Sequence, residues 1–130
     1  MRIESKDQIT FTGYNSPLKT AFKKGLLPTV KRGIYGKKLK PETVSVEHIT
    51  PMSKGGKNVL SNTFLADKYE NSRRGNRPID EYITKQNLVD YLVQFIGVKN
   101  KYIDGDKYIR IMLRRFKYMF KDEIKTGREF

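Results

Sequence analysis

The sequence predicts an α+β fold, and two patterns carry the prediction. Residues 43–49 alternate apolar and polar side chains, and residues 63–66 form a second short apolar segment, which indicates two strands around a turn-rich loop. After Pro78 the apolar residues recur at intervals of three and four, which is typical of helices. We therefore expect a small sheet in the middle of the chain and helices after it.

Residues that start and stop secondary structure mark the other elements. Ser16 followed by Pro17 is typical of a helix start, and Gly25 is a plausible stop. A short helix is expected over residues 67–74, because Gly75 follows it. Residues 8–14 alternate as a strand does.

Two helices are predicted after Pro78. The first holds apolar residues between Ile79 and Ile96 and closes at Gly97; the second follows Asp104 and keeps one apolar stripe towards a core. That stripe comprises Tyr108, Ile111, Met112, Phe116, Met119 and Phe120. The opposite face is basic, which is typical of a solvated face or of a second nucleic-acid contact: Lys107, Arg110, Arg114, Lys117, Lys121 and Lys125.

The charge of the chain indicates a polyanionic partner. The 130 residues carry a formal net charge of +13, and residues 19–40 hold eight basic side chains and no acidic one. Such a balance favours nucleic acid, ahead of ribosomal scaffolds and anionic membranes. The chain has no cysteine, which excludes disulfides, thiol nucleophiles and the commonest zinc sites. Without a signal-peptide or membrane-spanning stretch, a cytoplasmic protein with no membrane partner is expected.

Residues 46–78 hold the side chains best suited to chemistry. His48 is the only histidine. A neutral imidazole is able to take a proton from water. Glu47 and Asn71 offer the oxygen ligands that suit magnesium. Adjacent strand residues point to opposite faces, so Glu47 and His48 share one site only where the strand twists or ends.

The order of these residues resembles the HNH nuclease motif. Glu47-His48-Ile49-Thr50-Pro51, Gly55-Gly56, Asn62 and Asn71 follow the family's pattern over about residues 43–83. The tail after Asn71 looks closest to the HNH domains of RNA-guided transposon and CRISPR nucleases and to free-standing phage HNH endonucleases. The resemblance implies a ββα-metal core, in which two strands and a helix surround one metal ion.

The resemblance also implies roles for residues of this chain. His48 would be the general base, Asn62 would hold the loop that presents it, and Glu47 and Asn71 would bind Mg²⁺ or Mn²⁺. No structural zinc is expected, because Asp67 and Glu70 stand where this branch often has cysteine. The candidate nucleic-acid contacts are basic side chains around the motif: Lys37, Lys38, Lys54, Lys57, Arg73, Arg74 and Arg77.

The sequence thus predicts a single domain of residues 1–130, in three parts. Residues 1–42 form a basic extension, residues 43–78 the HNH core and residues 79–130 a helical extension. The predicted function is metal-dependent DNA cleavage in a bacterial or phage-infected cell, with a homodimer or partner protein possible for double-strand cuts. The alternatives are a non-catalytic nucleic-acid-binding module, an HNH-type ribonuclease such as a toxin, and a ribosome-associated protein.

Overall fold

The computed structural model describes residues 16–121, which form a small α+β structure. The prediction of a strand over residues 8–14 and the position Lys125 lie outside this range. The elements in chain order are α1 (Pro17–Lys23), β1 (Val44–His48), β2 (Thr63–Asp67), α2 (Lys68–Arg74), α3 (Lys85–Val93) and α4 (Gly105–Arg115).

β1 and β2 form an antiparallel two-stranded sheet, as the alternating pattern predicts. Val44 pairs with Asp67 at one end of the register, and His48 pairs with Thr63 at the other. The main-chain bond from Ile49 N to Asn62 O, at 2.9 Å, continues the pairing into the intervening loop. α2 follows β2 directly, with the Asp67 side chain accepting from the backbone at the start of the helix.

Two buried tyrosines cover the free edge of β2. The Leu65 amide donates to Tyr91 Oη at 2.9 Å, and Tyr108 Oη donates to the Thr63 carbonyl at 2.7 Å. The two hydroxyls lie 3.0 Å apart; because the Tyr108 proton is directed at Thr63, Tyr91 donates to Tyr108. α3 and α4 therefore satisfy backbone groups that a third strand would otherwise pair.

The basic segment before β1 also packs against β2. Ile34 N donates to the Leu65 carbonyl at 2.9 Å. This contact requires glycine at position 33, because a Cβ there would lie 2.8 Å from both Ala66 Cα and Leu65 O. The helix predicted between Pro17 and Gly25 is confirmed as α1.

The first of the two helices after Pro78 begins later than predicted. Residues 79–81 form one turn of 3₁₀-helix, and α3 starts only at Lys85, after a capping box between Thr84 and Asn87. Ile96, which the prediction included in this helix, lies beyond the end of α3 and is 65% exposed. The second helix is confirmed only in part. Tyr108, Met112 and Phe116 of its stripe are buried, but α4 ends at Arg115, and Met119 and Phe120 lie half-buried in a following 3₁₀ turn.

The hydrophobic core joins α1, both strands, α3 and α4. Phe64 of β2 makes ring contacts with Tyr91 of α3 and with Phe116 just after α4, at centroid distances of 5.3 and 5.7 Å. The C-terminal helices thus support the sheet from one side by packing. Between residues 16 and 121, no helix combines the length and apolar character needed to cross a membrane.

The hydrogen bonds of Tyr91 and Tyr108 at the edge of β2 allow a prediction about the loss of one hydroxyl. Tyr108→Phe leaves the Thr63 carbonyl without its donor and Tyr91 without its acceptor, so we expect the free energy of unfolding to fall by about 1–3 kcal/mol. Tyr118→Phe, at a half-exposed side chain, is the control and should change it by less than about 0.5 kcal/mol. Urea denaturation measures both; equal losses would contradict the assigned role.

Candidate active site at the junction of β1, β2 and α2

A buried carboxylate lies at the centre of the junction. Glu47 Oε1 is 2.7 Å from Arg74 Nη1, and the two side chains are only 6% and 2% exposed. Glu47 Oε2 accepts a hydrogen bond from the Tyr35 hydroxyl. These three side chains, Tyr35, Glu47 and Arg74, are called the carboxylate cluster below. They join the basic segment, β1 and α2.

Arg74 is held in place by the backbone around it. Its Nη1 and Nη2 donate to the carbonyls of His48 and Ile49 at 2.8 and 3.1 Å, and its Nε donates to Arg77 O at 2.6 Å. The prediction that Arg74 contacts nucleic acid is therefore a poor fit to the structure, since its guanidinium is buried and bonded internally. Arg74 instead fixes the end of β1 against α2.

The titration of the cluster reflects its burial. Desolvation raises the pKa of Glu47 above its usual value, while the Tyr35 hydrogen bond and the Arg74 charge act in the opposite direction. Burial, together with the neighbouring Glu47 carboxylate, raises the pKa of Tyr35. Tyr35 therefore stays a neutral hydrogen-bond donor to Glu47 at physiological pH.

His48 has a different set of partners from Glu47. It is the last residue of β1, and its Nε2 lies 3.1 Å from Asn58 Oδ1. A carboxamide oxygen only accepts, so this contact places a proton on Nε2 and leaves Nδ1 as the nitrogen able to take one. The ring is half-buried, whereas Asn58 is fully buried. Strand alternation thus separates the Glu47 and His48 side chains, although both lie at the same strand end.

Asn62 organises the loop between the strands. Its carboxamide accepts from Thr50 N at 2.9 Å and donates to the carbonyls of Thr50 and Lys57 at 3.0 and 2.9 Å. Asn62 thereby ties both ends of the segment that carries the paired glycines, and no contact with the imidazole is needed for that role. The residue that touches the ring is Asn58.

The two glycines of the loop have separate structural reasons. Gly55 has a backbone φ of +90°, which residues with a side chain rarely adopt. Gly56 packs so closely that a Cβ would lie 1.8 Å from the Thr50 carbonyl oxygen. The loop therefore folds back tightly on the residues that follow His48.

Asn71 lies on the face of α2 that packs against β1. Its Nδ2 donates to Ser45 Oγ at 3.1 Å and to the Val46 carbonyl at 3.0 Å. Asn71 and Arg74 are three residues apart on α2, so both point at β1. Ser45 and Glu47, which they contact, share one face of β1. The structure thus brings Glu47 and Asn71 to the same interface.

The donor chemistry of this interface fits a magnesium ion. Among residues 16–121, Asn71 Oδ1 accepts no hydrogen bond, and each oxygen of Glu47 keeps a lone pair beside its present partner. The described residues hold no group of three or more His, Cys, Asp or Glu side chains arranged for a metal. Such a site has few protein ligands, the kind in which magnesium is bound together with substrate phosphate.

Most of the predicted nucleic-acid contacts lie on the surface. Lys37, Lys38, Lys54 and Lys57 are exposed. Arg73 is exposed, and its Nη1 lies 3.3 Å from Glu70 Oε2. The Arg77 guanidinium stacks over the Tyr82 ring, 4.7 Å from the ring centroid. These six side chains are available to a polyanion at the surface, and Arg74 alone of the seven is internal.

Sequence reasoning missed the contacts made by Tyr35, Asn58 and Arg115. Arg115, at the end of α4, donates to Ser61 O and to Thr50 Oγ1, each at 2.8 Å, and so ties α4 to the loop beside His48. Tyr35 and Asn58 were visible only as an aromatic residue in a basic stretch and as a loop asparagine. Nothing local in the sequence distinguishes these residues from their neighbours.

Adjacent arginines allow a direct test of the cluster. Arg74→Met leaves the buried Glu47 carboxylate without its positively charged partner, so we expect the free energy of unfolding to fall by about 3–5 kcal/mol. Arg73→Met, one position away at a side chain that is 73% exposed, should change it by less than about 0.5 kcal/mol. Denaturant titration of both variants gives the comparison, and a small effect at position 74 would show that the ion pair does not hold the junction.

No protein-family model matches the chain, and neither a curated protein nor a solved structure matches it. The chemistry of the junction residues is therefore the basis on which a function can be proposed.

Proposed function

We propose that this chain is a metal-dependent endonuclease of the HNH type that hydrolyses phosphodiester bonds in DNA. The observation that supports it best is the position of His48 at the end of β1, one residue after Glu47, with Asn58 bonded to its ring and Asn71 of α2 bonded to the same strand. A proton acceptor and candidate oxygen ligands for a cation thus lie on β1 and α2, and exposed lysines and arginines occur in the loop after β1 and at the end of α2.

His48 acts as the general base in this proposal. The Asn58 contact fixes the tautomer, so Nδ1 accepts a proton from the attacking water. Oxygen of that water attacks phosphorus, the bond from phosphorus to the 3′ oxygen of the preceding sugar breaks, and that oxygen takes up a proton from solvent water. The products carry a 5′ phosphate and a 3′ hydroxyl, as the resemblance to HNH nucleases implies.

Glu47 and Asn71 are the residues that would hold the cation. Bound there, a magnesium ion supplies Lewis-acid stabilisation of the negative charge that develops on the phosphate and on the leaving oxygen. Tyr35 and Arg74 keep the Glu47 carboxylate in place, and the Asn71 amide bonds to β1 keep its carboxamide at the interface.

The exposed basic side chains supply the affinity for the substrate. Lys54 and Lys57 lie in the loop that follows His48, and Arg115 contacts the same loop from α4. Contacts of this kind neutralise phosphates without reading sequence, so binding should weaken steeply as salt rises. The net charge of +13 agrees with a polyanionic substrate.

Cleavage of supercoiled plasmid in magnesium tests the proposal. The wild-type protein should convert the plasmid to nicked or linear DNA, and His48→Ala should lower the rate by about a hundredfold or more, because a general base contributes that much. Ser72→Ala, at an exposed position of α2, is the control and should cleave at the wild-type rate. Absence of cleavage, or equal cleavage by His48→Ala, would overturn the proposal.

Two alternative functions are separated by a DNA-binding measurement and by an RNA substrate. A non-catalytic binding module would bind DNA with steep salt dependence and would be unaffected by a chelator. A ribonuclease of the same type would cleave RNA in preference to DNA under identical conditions, with the same dependence on His48.

A further inference from the structure

The carboxylate cluster has a charge balance that affects how the proposed nuclease acquires its metal. Glu47 is the only acidic side chain in the cluster, and Arg74 lies 2.7 Å from it. A guanidinium stays protonated in proteins, so the cluster carries zero net charge with Glu47 ionised and a charge of +1 with Glu47 protonated. In neither state does it attract a divalent cation by net charge.

Arg74 is not free to move aside. Four bonds hold its guanidinium, three to backbone carbonyls and one to Glu47, and the side chain is 2% exposed. Tyr35 in turn occupies the second carboxylate oxygen from the basic segment. The positive charge is therefore a permanent part of the site.

The other proposed ligand adds no negative charge. Asn71 is neutral, and within residues 16–121 no cluster of three His, Cys, Asp or Glu side chains is arranged around a metal position. Magnesium gives up its water reluctantly and needs negatively charged ligands to replace it. The phosphate groups of a nucleic acid are the ligands that can supply this charge at the junction.

We infer that Arg74 makes metal capture conditional on substrate: the free protein binds a divalent cation weakly, and nucleic-acid phosphate completes the site. This inference rests on the proposed function and adds the order in which the site is assembled. Linkage requires the converse, so the cation must raise the affinity for nucleic acid by the same factor.

The coupling is measured with Mn²⁺ as the probe, by electron paramagnetic resonance of the free ion. The His48→Ala protein is used, so that the DNA is not consumed. We expect a dissociation constant of about 1 mM or weaker for the protein alone, and binding at least about tenfold tighter with a saturating short duplex. Two controls measure the Mn²⁺ that DNA binds by itself. They are the duplex alone and the duplex with the His48→Ala, Glu47→Gln double variant.

The charge argument has its own variant. Asn71→Asp adds one carboxylate at the interface, so the free protein should bind Mn²⁺ at least about tenfold tighter and gain thermal stability from the ion. Asn76→Asp adds the same charge at an exposed position just after α2 and should leave Mn²⁺ binding unchanged. An increase at both positions, or at neither in folded protein, would contradict the role given to local charge.

The outcomes separate this inference from the proposed function. Suppose that cleavage depends on His48, but the free protein binds Mn²⁺ with micromolar affinity or the duplex does not raise the affinity for Mn²⁺. That result would overturn the inference and leave the nuclease proposal standing. Should Asn71→Asp fail to fold, the duplex measurement on the parent still decides. A wild-type protein that cleaves nothing would remove both.

Discussion

The junction depends on one buried ion pair. Arg74 and Glu47 meet at 2.7 Å with almost no exposure, and the same guanidinium bonds the last carbonyls of β1. A charge pair in such a place is costly to desolvate, so it contributes less to stability than its geometry suggests. Its consequence is positional, because it sets the end of β1, and with it His48, relative to α2.

The rest of the molecule supports this arrangement from two sides. Tyr91 and Tyr108 cover the open edge of β2, so a sheet of only two strands keeps its backbone groups satisfied. Arg115 connects α4 to the loop beyond His48, and Asn62 ties that loop to itself. The chain has no cysteine and therefore no disulfide, so packing and hydrogen bonds hold these elements together.

Local sequence patterns predicted most of the helices and strands, but they did not predict the contacts between segments that are distant in the chain. Alternation over residues 43–49 and Gly75 predicted β1 and the end of α2 almost to the residue, since strand period and helix stops are written locally. The partner of Tyr35 depends on how segments 12 residues apart pack, which no periodicity encodes. Arg73 and Arg74 look alike in sequence, yet helix phase buries only the second.

The central claim is that Glu47 and Asn71 hold one cation beside His48 when a phosphodiester is present. A crystal structure of His48→Ala with a DNA duplex and Mn²⁺ tests it most directly, because anomalous scattering locates manganese independently of any assumption. The account predicts one ion bonded to Glu47, to Asn71 Oδ1 and to a DNA phosphate. An ion bound elsewhere, or a duplex that avoids this junction, would contradict it.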